Sequence, residues 1–238
     1  GSDNIPAELL KVGDVAADLL KPLIQQIWLE EKTPREWKQG IIVKIPKKGD
    51  TTNCSNWRGI TLLSVPSKVL TRIILNRIQD SIERKLRKEQ AGFRAAKSCV
   101  DLINTLRIIL EQSKEFQATL YLAFVDFEKA FDTVKHQVLW EVLQEYGIPP
   151  KIINLIKDLY NGFECRVQHQ GKLTGAISVR VGVRQGCILS PILFLLVLDS
   201  VMRRVTGNRR RGLQWGLRER LEDLDFADDL CLIAQRFT

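Results

Sequence analysis

Leu224-Asp225-Phe226-Ala227-Asp228-Asp229-Leu230-Cys231-Leu232-Ile233-Ala234 sets two apolar arms on either side of an adjacent pair of carboxylates. Leu- and Ile-rich arms without Gly or Pro predict two short buried strands joined by a tight turn, a β-hairpin with an acidic tip. Such a tip is stable as a solvated turn, because Asp is a favoured turn residue, or around a cation. Mg²⁺ suits the second case, since it takes one or two protein carboxylates and completes its shell with water and phosphate oxygens.

A second apolar strand, Tyr121-Leu122-Ala123-Phe124-Val125-Asp126-Phe127, also delivers a carboxylate at its end. Period-two alternation puts Phe124 and Asp126 on one face, and Phe226 and Asp228 on one face of the other strand. If the strands are neighbours, Asp126 and Asp228 are presented to the same point. Three carboxylates converging there would hold two divalent ions about 3.5–4 Å apart, an arrangement that stabilises attacking and leaving oxygens in phosphoryl or nucleotidyl transfer.

The 238 residues carry 36 Lys and Arg against 28 Asp and Glu, a net charge of +8. That balance reads either as a merely basic surface or as attraction to a polyanion, for which nucleic acid is the natural candidate. Basic residues recur beside loops rather than in one tail, which favours the second reading. A hydrophobic content of 45% supports one large domain or two closely associated subdomains. No apolar run approaches the ~20 residues of a membrane span, so a soluble chain with no membrane partner is expected. Cys54, Cys99, Cys165, Cys187 and Cys231 are odd in number and form no Cys-x-x-Cys pair, which predicts an intracellular, reducing location, cytoplasmic or nuclear, and no structural zinc. His136 and His169 have no metal-ligand spacing, and catalysis through His is not expected. Gly1-Ser2 reads as a cloning remnant.

In chain order, residues 5–31 predict an amphipathic helix with Pro6 in its first turn. A basic strand-turn follows at Gly40 to Asp50, with Asn56-Trp57-Arg58-Gly59-Ile60-Thr61-Leu62-Leu63 as the returning strand. It is either a plain solvated hairpin or one whose Lys47, Lys48 and Arg58 close over a triphosphate, where charge-assisted and bidentate bonds are strongest. Apolar spacing predicts further helices from Pro66 to Lys88 and from about Ser98 to Ser113. After the Asp126 strand, Phe127-Glu128-Lys129-Ala130-Phe131-Asp132 turns into a helix reaching Gly147, and another runs from Lys151 to Tyr160. Residues 163–181 read as a β-hairpin turning at Gln170-Gly171. Gly182 to Pro191 then leads into an apolar helix ending near Val205. There Gly186 permits a ligand to approach the backbone closely, and Ser190-Pro191 starts a helix whose N-terminal dipole favours phosphate. The mixture of hairpins and helices is α+β, with the acids on the sheet.

Three of these stretches resemble the first-acid, Gln-Gly and Asp-Asp motifs of reverse transcriptases: Phe124 to Asp132, Arg184-Gln185-Gly186-Cys187-Ile188-Leu189-Ser190-Pro191, and Phe226-Ala227-Asp228-Asp229. Their order and spacing fit as well. Asn4-Ile5-Pro6-Ala7-Glu8-Leu9-Leu10, Ile45-Pro46-Lys47-Lys48-Gly49, Trp57 to Leu63 and Gln90-Ala91-Gly92-Phe93-Arg94 resemble upstream blocks of the non-LTR (LINE-type) retrotransposon enzymes. Each block is weak alone, but seven in the right order cover most of the chain.

The resemblance implies the fingers and palm of a right-hand polymerase, with an antiparallel palm sheet, packed helices and no thumb. Fingers would comprise residues 1–90 and 133–182, and palm 91–132 and 183–238. It implies an RNA-directed DNA polymerase using two Mg²⁺ ions, with Mn²⁺ as a substitute, on an RNA template, a DNA primer and deoxynucleoside triphosphates. Asp126 and Asp228 would bind metal directly with Asp229 in support, and Lys47 and Arg58 would contact the triphosphate. Phe131 would exclude a 2′-hydroxyl, while Gln185 and Gly186 would line the nucleotide and template pocket. The rival reading is a catalytically incomplete or domesticated module that binds RNA or protein; retention of all three acids weighs against it.

Overall fold

Residues 3, 5–11, 13–207, 212–215 and 219–236 are described in a computed structural model. Among them are the helices α1 (Asp14–Glu30), α2 (Val65–Glu83), α3 (Cys99–Glu115), α4 (His136–Glu145), α5 (Pro150–Tyr160) and α6 (Ser190–Thr206). The strands are β1 (Gln39–Pro46), β2 (Trp57–Leu62), β3 (Tyr121–Val125), β4 (Glu164–His169), β5 (Lys172–Leu173), β6 (Ile177–Ser178), β7 (Leu213–Trp215), β8 (Glu219–Leu221), β9 (Asp223–Phe226) and β10 (Asp229–Ala234). The chain divides into two units, Gly1–Asp80 with Phe131–Ser190, and Ser81–Ala130 with Pro191–Thr238. None of the described helices is long and apolar enough to cross a membrane, and all five cysteines are free thiols.

The first unit is built on the basic hairpin. β1 and β2 pair antiparallel with Ile45 opposite Arg58, so Arg58 shares a face with Ile45 and, two residues on, with Lys47. β4 joins the far side of β1 in parallel, Gly40 against Cys165, giving the order β2-β1-β4-β5 with β6 also on β4. The expected turn at 170–171 is present, with positive φ at both Gln170 and Gly171, as a type I′ turn requires. The parallel β1–β4 pairing was not expected, because a crossover joins distant segments and leaves no turn signature between them. α4 packs with α5, and Leu139, Leu143, Leu155 and Ile156 are fully buried.

Several helix limits differ from those expected. The first helix does not run unbroken over 5–31: a short 3₁₀ turn at Ala7–Lys11 precedes α1, and Gly13 between them has φ 67°. Much of the apolar stripe of α1 is open, with Leu19 and Leu29 each 75% exposed. α2 stops at Glu83 instead of Lys88, and the Arg87 amide donates to the Asp199 carboxylate at 3.0 Å rather than to a helical carbonyl. The segment after Asp126 passes through a 3₁₀ turn at Ala130–Asp132 before α4 begins at His136. α3 starts one residue after Ser98, which closes a capping box with Asp101. α6 begins at Ser190 as expected, and Leu193, Leu195 and Leu196 are wholly buried.

In the first unit, residues 182–186 are fastened at both ends. The Val183 amide donates to the Phe131 carbonyl at 2.8 Å, and the Thr61 amide of β2 donates to the Gln185 carbonyl at 3.2 Å. Arg184 is buried between them over the Phe163 ring, 4.0 Å from its centroid, and donates to the carbonyls of Trp37 at 2.7 Å and Leu159 at 3.3 Å. Burial, partly opposed by the Cys187 and Tyr160 groups, pulls its pKa below the usual arginine value. Gly186 lies close against the chain itself: a Cβ on it would stand 2.3 Å from the Thr61 carbonyl oxygen, at φ 101°. Gly186→Ala is therefore predicted to lose about 1–3 kcal/mol of stability in the absence of any nucleotide. Gly162→Ala, at φ 70° with open space around it, should lose only about 1 kcal/mol; urea unfolding of the two variants measures the difference.

Candidate active site

The second unit holds the acids. β9, β10 and β3 form an antiparallel sheet in the order β3-β10-β9. Leu224, Cys231 and Ile233 form one buried cluster with Ile109 of α3, flanked by Leu102, Leu106 and Leu122. The expected hairpin closes with Asp229 opposite Phe226, and its other neighbour is β3, with Leu230 opposite Val125. One step further along this register, Asp126 comes level with Asp229. Both line a small apolar hollow of about 220 Å³ with Phe124 and Phe226. Asp228 does not share the strand alternation assumed for it: the chain reverses at Ala227 and Asp228, where Ala227 has φ 55°. Asp126 and Asp229 are exposed and Asp228 is half-buried.

Ala227 occupies a backbone region that ordinarily favours glycine, and a buried side chain holds it there. Gln90 Oε1 accepts the Ala227 amide and the Gly92 amide, both at 2.8 Å, while Gln90 Nε2 donates to the Ala227 carbonyl at 3.2 Å. The flanking backbone adds two bonds, Ala91 amide to Asp225 carbonyl at 2.8 Å and Asp225 amide to Glu89 carbonyl at 3.2 Å. Gly92 is pressed so close that a Cβ would stand 2.2 Å from the Ala227 nitrogen. Arg94 secures this strap in turn, donating to the Gln90 carbonyl at 2.9 Å and to the Glu83 carboxylate at 2.7 Å. The stretch 90–94, given above only as a block of the family resemblance with no role assigned, is thus the brace of the acidic turn.

On the other face of β9 lies a second set of acids that sequence reading missed. Asp199, Asp223 and Asp225 are buried around Arg87, which pairs with Asp223 at 2.6 Å, with Asp225 more closely still, and with Asp199 at 3.3 Å. Arg203 adds a second cation to Asp199 at 2.8 Å. Burial and the neighbouring Asp223 carboxylate push the Asp225 pKa up to about 8, against the pull of Arg87. Three carboxylates facing two guanidinium groups leave one acid in excess, which with burial is the physical reason the Asp225 carboxyl is shifted upward. The alternation Asp223, Asp225 was the available signal, since every second residue of a strand shares a face.

Among the described residues, the side chains of Asp126, Asp228 and Asp229 have no hydrogen-bond or ion-pair partner, the opposite of the buried set. Nor do any three described His, Cys, Asp or Glu side chains gather closely enough to hold a metal by themselves. Hard oxygen donors at an open sheet end still suit Mg²⁺, which draws most of its shell from water and phosphate.

Of the residues expected to hold a nucleotide, Gln185 is hydrogen-bonded to Thr61 of β2, Gly186 lies close against the same residue, and the Phe131 carbonyl accepts the Val183 amide. The Gln185 amide also donates to the Asp132 carboxylate at 2.7 Å. Arg58 is exposed on β2, and Lys47 Nζ donates to the Ser55 carbonyl at 3.3 Å.

Residues 45–237 match the model of the family described as reverse transcriptase (RNA-dependent DNA polymerase), and the chain belongs to that family. Its relatives are non-LTR retrotransposon proteins, as the resemblance implied. The Pol polyprotein of the R2 element of Popillia japonica is 32% identical over 98% of this chain and 32% of its own length. An uncharacterised 149 kDa protein of transposon TX1 from Xenopus laevis is 29% identical over 90% of the chain and 16% of its length. The chain therefore spans about a sixth to a third of these relatives. In fold it is similar to telomerase of Candida tropicalis solved with a fragment of telomeric RNA. That likeness has a TM-score of 0.57 at 16% identity, over 90% of this chain and 40% of the other. The expected α+β polymerase fold is the one observed.

Two outcomes follow from the geometry. A carboxyl group whose folded pKa is raised favours folding at low pH and loses that contribution as pH rises toward the folded pKa. Stability contributed by Asp225 should therefore decline between about pH 4 and about pH 8, and Asp225→Asn should flatten the decline. Thermal melts across that range should show the variant gaining on the wild type as pH rises. Gln90→Met, which keeps volume but leaves the Ala227 and Gly92 backbone groups unpaired, should cost about 1–3 kcal/mol per orphaned group at most; denaturant titration measures it.

Proposed function

We propose that this chain is the catalytic core of an RNA-directed DNA polymerase of a non-LTR retroelement, joining deoxynucleotides to a DNA primer on an RNA template. The observation that carries this reading is the sheet end where, among the described residues, the Asp126, Asp228 and Asp229 side chains have no partner, while the buried Asp223 and Asp225 of the same hairpin are held by Arg87. Three carboxylates with no partner of their own remain open to a metal ion, which can take one or two of them and complete its shell with water and phosphate. We assign the palm role to the unit bearing these acids and the fingers role to the unit bearing the β1–β2 hairpin. The five free thiols support action inside the cell, in cytoplasm or nucleus.

Asp126 and Asp228 would hold two divalent cations, Mg²⁺ or Mn²⁺, with Asp229 in support. Such ions, when bound, neutralise charge on the attacking and leaving oxygens. Arg58 offers a planar fork for two hydrogen bonds to a phosphate of the incoming nucleotide, with Lys47 beside it as a point charge. Gln185 and Gly186 would border the base pair being formed. Phe131 follows Asp126 by a short turn, and its ring would fill the space a 2′-hydroxyl needs.

The test is extension of a DNA primer on an RNA template by the full-length polypeptide with Mg²⁺. Asp228→Asn should lower the rate by at least ~100-fold, given the several kcal/mol such charge stabilisation supplies. It should melt no lower than wild type without metal, because it relieves repulsion between like charges. Near-normal extension by this variant would overturn the assignment. Phe131→Val should raise ribonucleotide use relative to deoxyribonucleotide use, read as the ratio of kcat/KM for one nucleotide pair. A packing residue would instead depress both alike, as expected where truncating a core Phe to Ala costs ~3–5 kcal/mol.

A further inference from the structure

The first unit contains a cleft that none of the residues proposed for polymerisation lines. It has a volume of about 620 Å³ and lies between α4, α5 and the segment from Ser178 to Arg180, within the ~300–1,000 Å³ range of small-ligand sites. One wall is aromatic. The Tyr160 ring stands edge-on to His136 at 5.1 Å and to Trp140 at 5.7 Å between centroids. His136 is fixed by the Gly182 carbonyl, 2.9 Å from its Nε2. Tyr160 is buried, which pushes its pKa up to about 12, so it remains neutral.

The charges of the cleft are not balanced. Asp158 is already satisfied by Lys38 at 2.8 Å and by the Thr33 amide and hydroxyl, both at 2.7 Å. Although burial works the other way, these partners hold its pKa below the usual carboxylate value. Lys157 and Arg180 have no carboxylate partner among the described residues, and the Lys157 ammonium lies 6.0 Å from the Trp140 centroid. Ser178 and Asn161 place a neutral hydroxyl and an amide in the same lining.

We propose that this cleft binds a segment of single-stranded nucleic acid, its base against the Trp140 wall and its phosphates on Lys157 and Arg180. Two cations without carboxylate partners, one of them over an indole ring, and uncharged hydrogen-bonding groups in the same lining fit an alternation of phosphate and flat base. An acidic peptide answers the cations but leaves the aromatic wall without a partner. The site would tether a strand away from the chemistry, and it stands independently of the assignment of the three acids.

The test uses this chain with a short fluorescent oligouridine containing a photoreactive base, as RNA and as DNA, at physiological salt. Crosslinked peptides are mapped by mass spectrometry, and competitors are an abasic strand of equal length and an oligoglutamate peptide. The expected result is a crosslink within α4 or α5, with yield falling at least ~5-fold in a Lys157→Ala, Arg180→Ala double variant. The abasic strand should compete at least ~5-fold more weakly, in line with the worth of base–aromatic stacking. Trp140→Leu should lose the crosslink and Trp140→Phe should retain it, which separates loss of stacking from loss of fold. Crosslinking to RNA or to DNA supports the site, and the tighter of the two names its strand. Asp228→Asn should crosslink normally, so failure of the polymerase reading would leave this result standing. No crosslink in the cleft, equal competition by the abasic strand, or displacement by oligoglutamate as efficient as by oligouridine would overturn the proposal.

Discussion

The Arg87 guanidinium, buried among Asp199, Asp223 and Asp225, is the interaction on which the second unit depends. Carboxylates taken out of water need a cation at hydrogen-bonding distance, and removing that cation from such a cluster typically costs about 3–5 kcal/mol. Here it draws together three separate stretches of chain: the residues after α2, the middle of α6 and strand β9. One face of β9 is thereby fixed by charge, while the other is fixed by Leu224 against Ile109 of α3. The acidic turn extends from a strand immobilised on both sides. Acids gathered on guanidinium groups along one face of β9 and acids left open at the end of the sheet are complementary halves of one arrangement.

Gln90 carries that rigidity the last few ångströms. A side-chain amide presents one acceptor and two donors in a plane, which lets it copy the hydrogen bonding of a neighbouring strand and hold an alanine at positive φ. Ala227 needs the brace because a methyl group there has no intrinsic preference for the conformation. A glycine would adopt the turn freely but would also make it pliable.

Much of this was legible in the sequence, and the reasons differ by element. The hairpin 224–234, the strand ending at Asp126, the β1–β2 pair and the Gln170-Gly171 turn all have local signatures in alternation or turn chemistry. The family motifs located the candidate acids by number. What could not be read were contacts between distant segments. Nothing near Gly40 announces Cys165 as its partner, and nothing near Arg87 announces three aspartates. At Gly186 a glycine in sequence shows only that room is needed, and the close approach of the Thr61 carbonyl was not readable from it. The helix over 5–31 failed at Gly13, where periodicity continued across a residue whose φ ended the helix.

The parallel pairing of β1 with β4 also bears on how the polypeptide acquires its shape. β1 is synthesised long before β4, and the residues of the second unit's first segment, 81–130, emerge between them. Contacts of such large sequence separation slow folding, because loop closure must precede any gain from pairing. During synthesis the β1–β2 hairpin must wait with one long edge unpaired, a condition that invites association with other strands. The chain is therefore expected to be a slow folder that is vulnerable to aggregation until residues 164–169 have left the ribosome, and to gain more from chaperone capture of its N-terminal half than of its C-terminal half.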